Sequence, residues 1–186
     1  MLRLQPGDIF LTKGDSFVSR GIRFFSRSGG EARTEANHTG LVVAGGSRDS
    51  AVIVEALTKV VRRRMSSYSQ SRDTGVAIYR PLNVSPDQIE TIVARAEQYV
   101  GDSYGYFKIA AHFGDWCLGG RYFFRRIVSM DKYPICSWVV AQSFADAGLN
   151  FGVPAGMADP DDIMDFCASN PDKYEVIHAM APMRTS

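Results

Sequence analysis

Two short runs rich in Val, Ile and Thr, His38 to Ala44 (HTGLVVA) and Ala51 to Leu57 (AVIVEAL), flank the turn-forming stretch GGSRDS. Strands joined so tightly pair antiparallel, because a parallel return needs a crossover of about a dozen residues or more. The rest of the chain is read around this hairpin. Asp8 to Thr12, after the Pro6-Gly7 turn signal, predicts a strand, and Gly75 to Tyr79 predicts another, closed by Arg80 and Pro81. Ser85 as N-cap, Pro86 at the first helical position and Gln88 at the third predict a helix through Tyr99. Ile89, Ile92, Val93, Ala96 and Val100 form its buried stripe, and Gly101 stops it. Ser137 to Ala147 predicts a helix ended by Gly148, and Asp159 to Cys167 a short final one. Residues 14–37 predict a short helix and a Gly-Gly loop, while 104–130 are aromatic and partly helical. Strands and helices are thus segregated, which predicts an α+β fold with a mostly antiparallel sheet.

The 186 residues, 45% hydrophobic and 22% charged, suit one domain over 1–186 and exclude a disordered tail or a collagen-like rod. A net charge of +1 supplies no global field for nucleic acid or an anionic membrane. Arg62, Arg63 and Arg64, with Arg125 and Arg126, are the one basic motif, and they read as a solvated loop or as a phosphate-binding patch. Three cysteines without a Cys-x-x-Cys pair give neither a disulfide framework nor a zinc knuckle, and they fit a reducing compartment. MLRLQPGDIF is broken by Gln5, Pro6, Gly7 and Asp8, so no secretory signal is expected, and no run approaches the roughly 18 apolar residues of a membrane span. The expectation is a soluble chain, cytoplasmic as synthesised.

Chemistry starts with Cys136, which stands just before the apolar-periodic segment SWVVAQSFADAGL. Unpaired N–H groups at a helix start lower a thiol pKa and can hold an oxyanion. Position alone admits two readings, an activated nucleophile or a small buried hydrophobe. Cys117, beside Trp116, and Cys167, beside Phe166, read as core. Of three histidines, His38 opens a strand and is the candidate base, whereas His112 and His178 read as structural or surface residues. Glu55 is an acid inside the apolar run VIVEAL, where a carboxylate needs a partner, and it is the candidate for orienting the imidazole. An odd sum of opposed residue numbers in the hairpin puts His38 and Glu55 on one side, and an even sum separates them. The other reading of Glu55 is an edge-strand residue facing water.

The segments LQPGDIFL, NHTGLVV, VIVEAL, YVGDSYGY and ICSWVVAQSFADAGL, in that order and spread over most of the chain, resemble the circularly permuted branch of the NlpC-type papain-like cysteine peptidases and amidases, the YiiX/YebB-like group. The resemblance implies a permuted papain-like fold with Cys136 as nucleophile, His38 as base and Glu55 as orienting acid. It implies structural roles for Asp8 and Thr12, and a substrate contact for Tyr104. The implied activity is cleavage of an amide, in a cell-wall peptide or an amino-acid amide, through a thioester and without metal or organic cofactor. A cell-wall target would require delivery by lysis or a dedicated secretion route.

Two other readings stay open. Relatives of lecithin:retinol acyltransferase share the permuted fold, so a lipid thioesterase or acyltransferase is the alternative enzyme, with aromatic residues between Tyr104 and Phe124 lining a lipid cleft. A catalytically silent binding module is the non-enzymatic one. The stretch 26–36, with Gly29 and Gly30, is a candidate lid.

Overall fold

Ile9, Phe10, Leu11 and Thr12 are all buried, so the strand they form, β2 (Ile9–Lys13), needs partners on both edges and cover on both faces. It has both in the computed structural model, which describes residues 2–13, 36–57, 59–68, 75–102 and 136–180. β3 (His38–Ala44) and β7 (Gly75–Pro81) flank it. β5 (Val52–Ala56) and β6 (Val60–Arg64) extend the sheet beyond β3, and β8 (Tyr174–His178) extends it beyond β7. The order β6-β5-β3-β2-β7-β8 is antiparallel at every junction. With helices α1 (Pro86–Gln98), α2 (Cys136–Asp146) and α3 (Pro160–Ser169), this is the expected α+β architecture.

Successive strand residues face opposite sides, and here both sides are apolar. Ile9, Leu11, Leu41, Val54, Ala56, Ala77 and Tyr79 join the core built by the helices, which contribute Ile92, Ala96, Val139, Val140, Phe144 and Ile163. Phe10, Val42, Ile53, Val76 and Ile78 form a second cluster with Leu4 and Met65. Asp8, fully buried ahead of β2, accepts Nε and Nη2 of Arg80 at 2.8 and 2.7 Å and the Gln5 N–H at 2.8 Å, so the start of the sheet is clamped by a bidentate ion pair.

The locally encoded helix ends form as expected. Ser85 and Gln88 exchange side-chain and backbone bonds in a capping box with Pro86 inside it; Asp159, expected as the first residue of the last helix, instead caps α3 with Asp162 in the same way. Gly101 and Gly148 follow α1 and α2 at φ +101° and +79°, a conformation open to glycine and strained for other residues. Other boundaries differ. α2 begins at Cys136 itself and ends at Asp146, and α3 runs on to Ser169. Val100 does not belong to the buried stripe of α1. It lies past the Tyr99 C-cap and is 38% exposed, because the chain turns there to pair with β6 through Gly101 N–H to Val60 O (2.9 Å) and Val60 N–H to Asp102 O (2.8 Å).

Arg80 and Pro81, expected to close β7, continue it, since β8 pairs with both and Pro81 is the last residue of the ladder, where its missing N–H matters least. Within GGSRDS, Gly46 and Ser47 form a two-residue strand, β4, against β1 (Arg3–Leu4). Ala51 and Leu57 fall outside the hairpin strands. β6, the 3-10 turn Met65–Tyr68 and β8 carry no clear local signal and were not anticipated. The helix and Gly-Gly loop expected over 14–37 lie outside the described residues except for Ala36 and Asn37, and the aromatic segment 104–130 lies wholly outside them.

Gly40 has a defined reason to lack a side chain. A Cβ there would stand 2.5 Å from Phe10 Cε1 and 2.7 Å from the Val54 carbonyl oxygen. Gly40→Ala is therefore expected to lose about 1–3 kcal/mol in urea unfolding. An unchanged unfolding midpoint would show that the Phe10 ring yields freely.

Candidate active site

β3 begins at His38 and α2 begins at Cys136, so imidazole and thiol meet where the two elements start. Cys136 is buried, and burial by itself pushes its thiol up. That effect is outweighed by the His38 ring, which hydrogen-bonds the sulfur and offers it positive charge, and by the backbone N–H groups of Thr39 and Ser137, so the thiol sits below its ordinary range. The Ser137 N–H is one of the unpaired donors of the helix start.

His38 Nε2 lies 2.5 Å from Glu55 Oε2, which leaves Nδ1 for the sulfur. Burial disfavours the imidazolium, but the sulfur on one nitrogen and the carboxylate on the other push the ring up to about 10. Both shifts favour the thiolate–imidazolium form of the pair over thiol and neutral imidazole. His38 keeps 16% of its side chain exposed while Glu55 has none, so the imidazole is the open member of the line and the acid is sealed behind it.

The hairpin register decides whether this line exists. Gly40 opposes Glu55, Leu41 opposes Val54 and Val42 opposes Ile53, all odd sums, and the irregularity between Val42 and Ala44 lies toward the turn, beyond the site. His38 and Glu55 therefore project to one side. Glu55 is not an edge residue either, because β5 runs between β3 and β6.

Two further side chains converge on the carboxylate. Arg63 Nε donates to Glu55 Oε1, and the Tyr68 hydroxyl donates to Glu55 Oε2. Burial raises the Glu55 carboxyl, but His38, Tyr68 and Arg63 together hold it below its ordinary value. The Arg63 guanidinium lies over the Tyr68 ring, 5.2 Å from its centroid. Tyr68 packs on Phe10 at 5.2 Å, and Phe10 meets the His38 ring edge-on at 6.2 Å. Phe10 can lie there because Gly40 leaves the space.

Arg63 was read from the sequence only as part of a basic run, and Tyr68 was not singled out. The arginine run is not a loop but part of β6, and its members alternate: Arg62 turns to Glu97 of α1 with Nε to Oε1 at 2.8 Å, and Arg63 turns to Glu55. The available signal was the period of two through Val61 and Arg63, which matches Glu55 once β5 and β6 are paired. Of the other candidates, Cys167 is buried in the core with its thiol pushed up by burial, and His178 ends β8 opposite Ile78. Tyr104, His112, Cys117, Arg125, Arg126 and the candidate lid 26–36, apart from buried Ala36, lie outside the described residues. A cavity of about 320 Å³ between Leu82, Val84, Leu149, Phe166 and Tyr174 is at the far end of α2. That helix has 11 residues and spans about 16 Å, so the cavity is remote from the sulfur. Among the described residues no group of three or more His, Cys, Asp or Glu side chains is placed to hold a metal ion, and no helix is long and apolar enough to cross a membrane.

Comparison with known proteins gives no match to any protein-family model and none to a curated protein. Among solved structures the chain is similar to the crystal structure of the metalloprotein YiiX from Escherichia coli O157:H7 (DUF1105), with a TM-score of 0.56 and 20% identity over 80% of this chain and 69% of that one. At that identity the likeness is one of fold, and the chain has a YiiX-like α+β fold.

Proposed function

We propose that the chain is a cysteine hydrolase that cleaves amide bonds, a permuted papain-like enzyme of the NlpC type with Cys136 as nucleophile, His38 as acid and base, and Glu55 as orienting acid. The observation that supports it is the unbroken line from the sulfur at a helix N-terminus through the imidazole to a sealed carboxylate. Because the proton already rests on His38, the first step needs no prior proton transfer. The thiolate attacks the carbonyl carbon, the C–S bond forms, and the displaced electron pair collects on the oxygen beside the N–H groups that open α2. The oxyanion collapses, the C–N bond breaks, and His38 gives its proton to the leaving nitrogen. Water then attacks the thioester, losing its proton to His38. The carboxylic acid departs, and the thiolate and imidazolium are restored. Throughout, Glu55 holds Nε2–H and keeps the ring aimed at the sulfur. Peptides of the cell-wall type and amino-acid amides are the substrate classes, in line with the family resemblance. Acyl transfer to another acceptor shares every step up to the thioester, and product analysis separates the two.

Alkylation by iodoacetamide, followed by mass spectrometry, tests the nucleophile. Cys136 is expected to label at pH values well below about 8.5, where an ordinary thiol is still protonated, and Cys167 to stay unlabelled in the folded chain. His38→Ala should slow Cys136 labelling by at least about tenfold. Slow labelling that ignores His38 would remove the catalytic reading. The two pH profiles should also differ in shape. Alkylation needs only the thiolate and should reach a plateau, whereas kcat/KM for an amide also needs the imidazolium and should fall as pH rises through about 10, where His38 loses its proton. Glu55→Gln is expected to lower kcat/KM by about 10²–10⁴, and Cys136→Ala to abolish turnover.

A further inference from the structure

We propose that Arg63 and Tyr68 are positioning residues that hold the sealed Glu55 carboxylate ionised and aimed at His38, and so keep the Cys136–His38 pair charged. This rests on the nucleophile reading above and adds the two groups on which its charge state depends. Glu55 has no exposed surface, so water cannot solvate its charge, and a buried carboxylate stays ionised only where donors and positive charge replace that water. One donor is His38 itself, which is mobile in protonation through the proposed cycle. The other two are fixed. The Arg63 guanidinium is charged at every working pH. The Tyr68 phenol is kept protonated by burial and by the adjacent carboxylate, so it is a donor throughout.

Charge counting gives the consequence. Thiolate, imidazolium, carboxylate and guanidinium sum to zero, whereas removal of Arg63 leaves a net negative buried cluster. The nearest relief is a proton on Glu55, which then ceases to support the imidazolium, and a neutral imidazole ceases to support the thiolate. From the described elements, the titratable and charged groups facing Glu55 are His38 of β3, Arg63 of β6 and Tyr68 of the 3-10 turn, with Cys136 of α2 beyond His38. Arg62 is turned away to Glu97. Packing holds the arrangement in place, since guanidinium, phenol, phenyl and imidazole follow one another from Arg63 through Tyr68 and Phe10 to His38.

The test is the pH dependence of iodoacetamide labelling of Cys136 in the full chain and in Arg63→Met, Arg63→Lys and Tyr68→Phe, with circular dichroism to verify folding. The acid limb of the profile should move up by about one pH unit or more in Arg63→Met and by a smaller step in Tyr68→Phe, and return toward the parent position in Arg63→Lys. A purely structural role would lower the melting temperature or the plateau rate and leave the limb in place. An unmoved limb in folded Arg63→Met and Tyr68→Phe, with His38→Ala still slowing the reaction, would overturn this inference and leave the nucleophile reading standing. A parent profile with the limb of an ordinary thiol would remove both. If Arg63→Met does not fold, Tyr68→Phe and Arg63→Lys decide the matter through the same limb.

Discussion

A carboxylate without any exposed surface, set behind the Cys136–His38 pair, is the constraint around which this site is arranged. Glu55 is tolerable there only because His38, Arg63 and Tyr68 occupy its oxygens. Each comes from a different element, β3, β6 and a 3-10 turn, so the acid is satisfied only when the hairpin register and the pairing of β5 with β6 are both correct. An incorrect register leaves a buried charge unpaired. The same group that orients the imidazole therefore also penalises misfolded alternatives of the sheet, which links the site to the fold in energetic terms.

The sheet serves two masters because its two sides have different partners. One side packs the helices and sets where α2 starts, and with it the sulfur. The other carries Phe10, Val42 and Ile53, and the Glu55 line is built upon it. Thr39 links the two, giving its N–H to the sulfur and its hydroxyl to the Phe10 carbonyl at 2.9 Å. Gly40, beside it, lets the Phe10 ring approach close enough to brace both His38 and Tyr68. Four consecutive residues, Asn37 to Gly40, thus enter the sheet, carry the imidazole, support the sulfur and make room for the brace.

The likeness to YiiX concerns the fold. The proposed chemistry rests on this chain's own side chains: a thiol at a helix start, a ring with both nitrogens engaged, and an acid sealed behind it. Exposure is graded along the line, with His38 partly open and Glu55 closed, which in the proposed cycle suits an imidazole that must reach a leaving group and a carboxylate that stays ionised behind it.

Features whose partners lie within a few residues were legible in the sequence. The capping box of Ser85 with Gln88, the Gly101 and Gly148 stops, the hairpin across GGSRDS and, to within one residue, the start of α2 all depend on local bonds or on backbone freedom at one position. Cys136, His38 and Glu55 were legible as chemical types in suitable places. Their meeting was not, because the parity of a strand register is a property of pairing and the residue string admits both values. Arg63 and Tyr68 were hidden for the same reason: an arginine run reads as solvated surface until β6 pairs with β5, and only the pleat then sends Arg62 to Glu97 and Arg63 to Glu55. Val100 failed in the opposite sense, periodic by sequence yet exposed once the chain turned toward β6. Local bonds determined where the elements begin and end. Contacts between segments far apart in the chain decided which side chains share a charge.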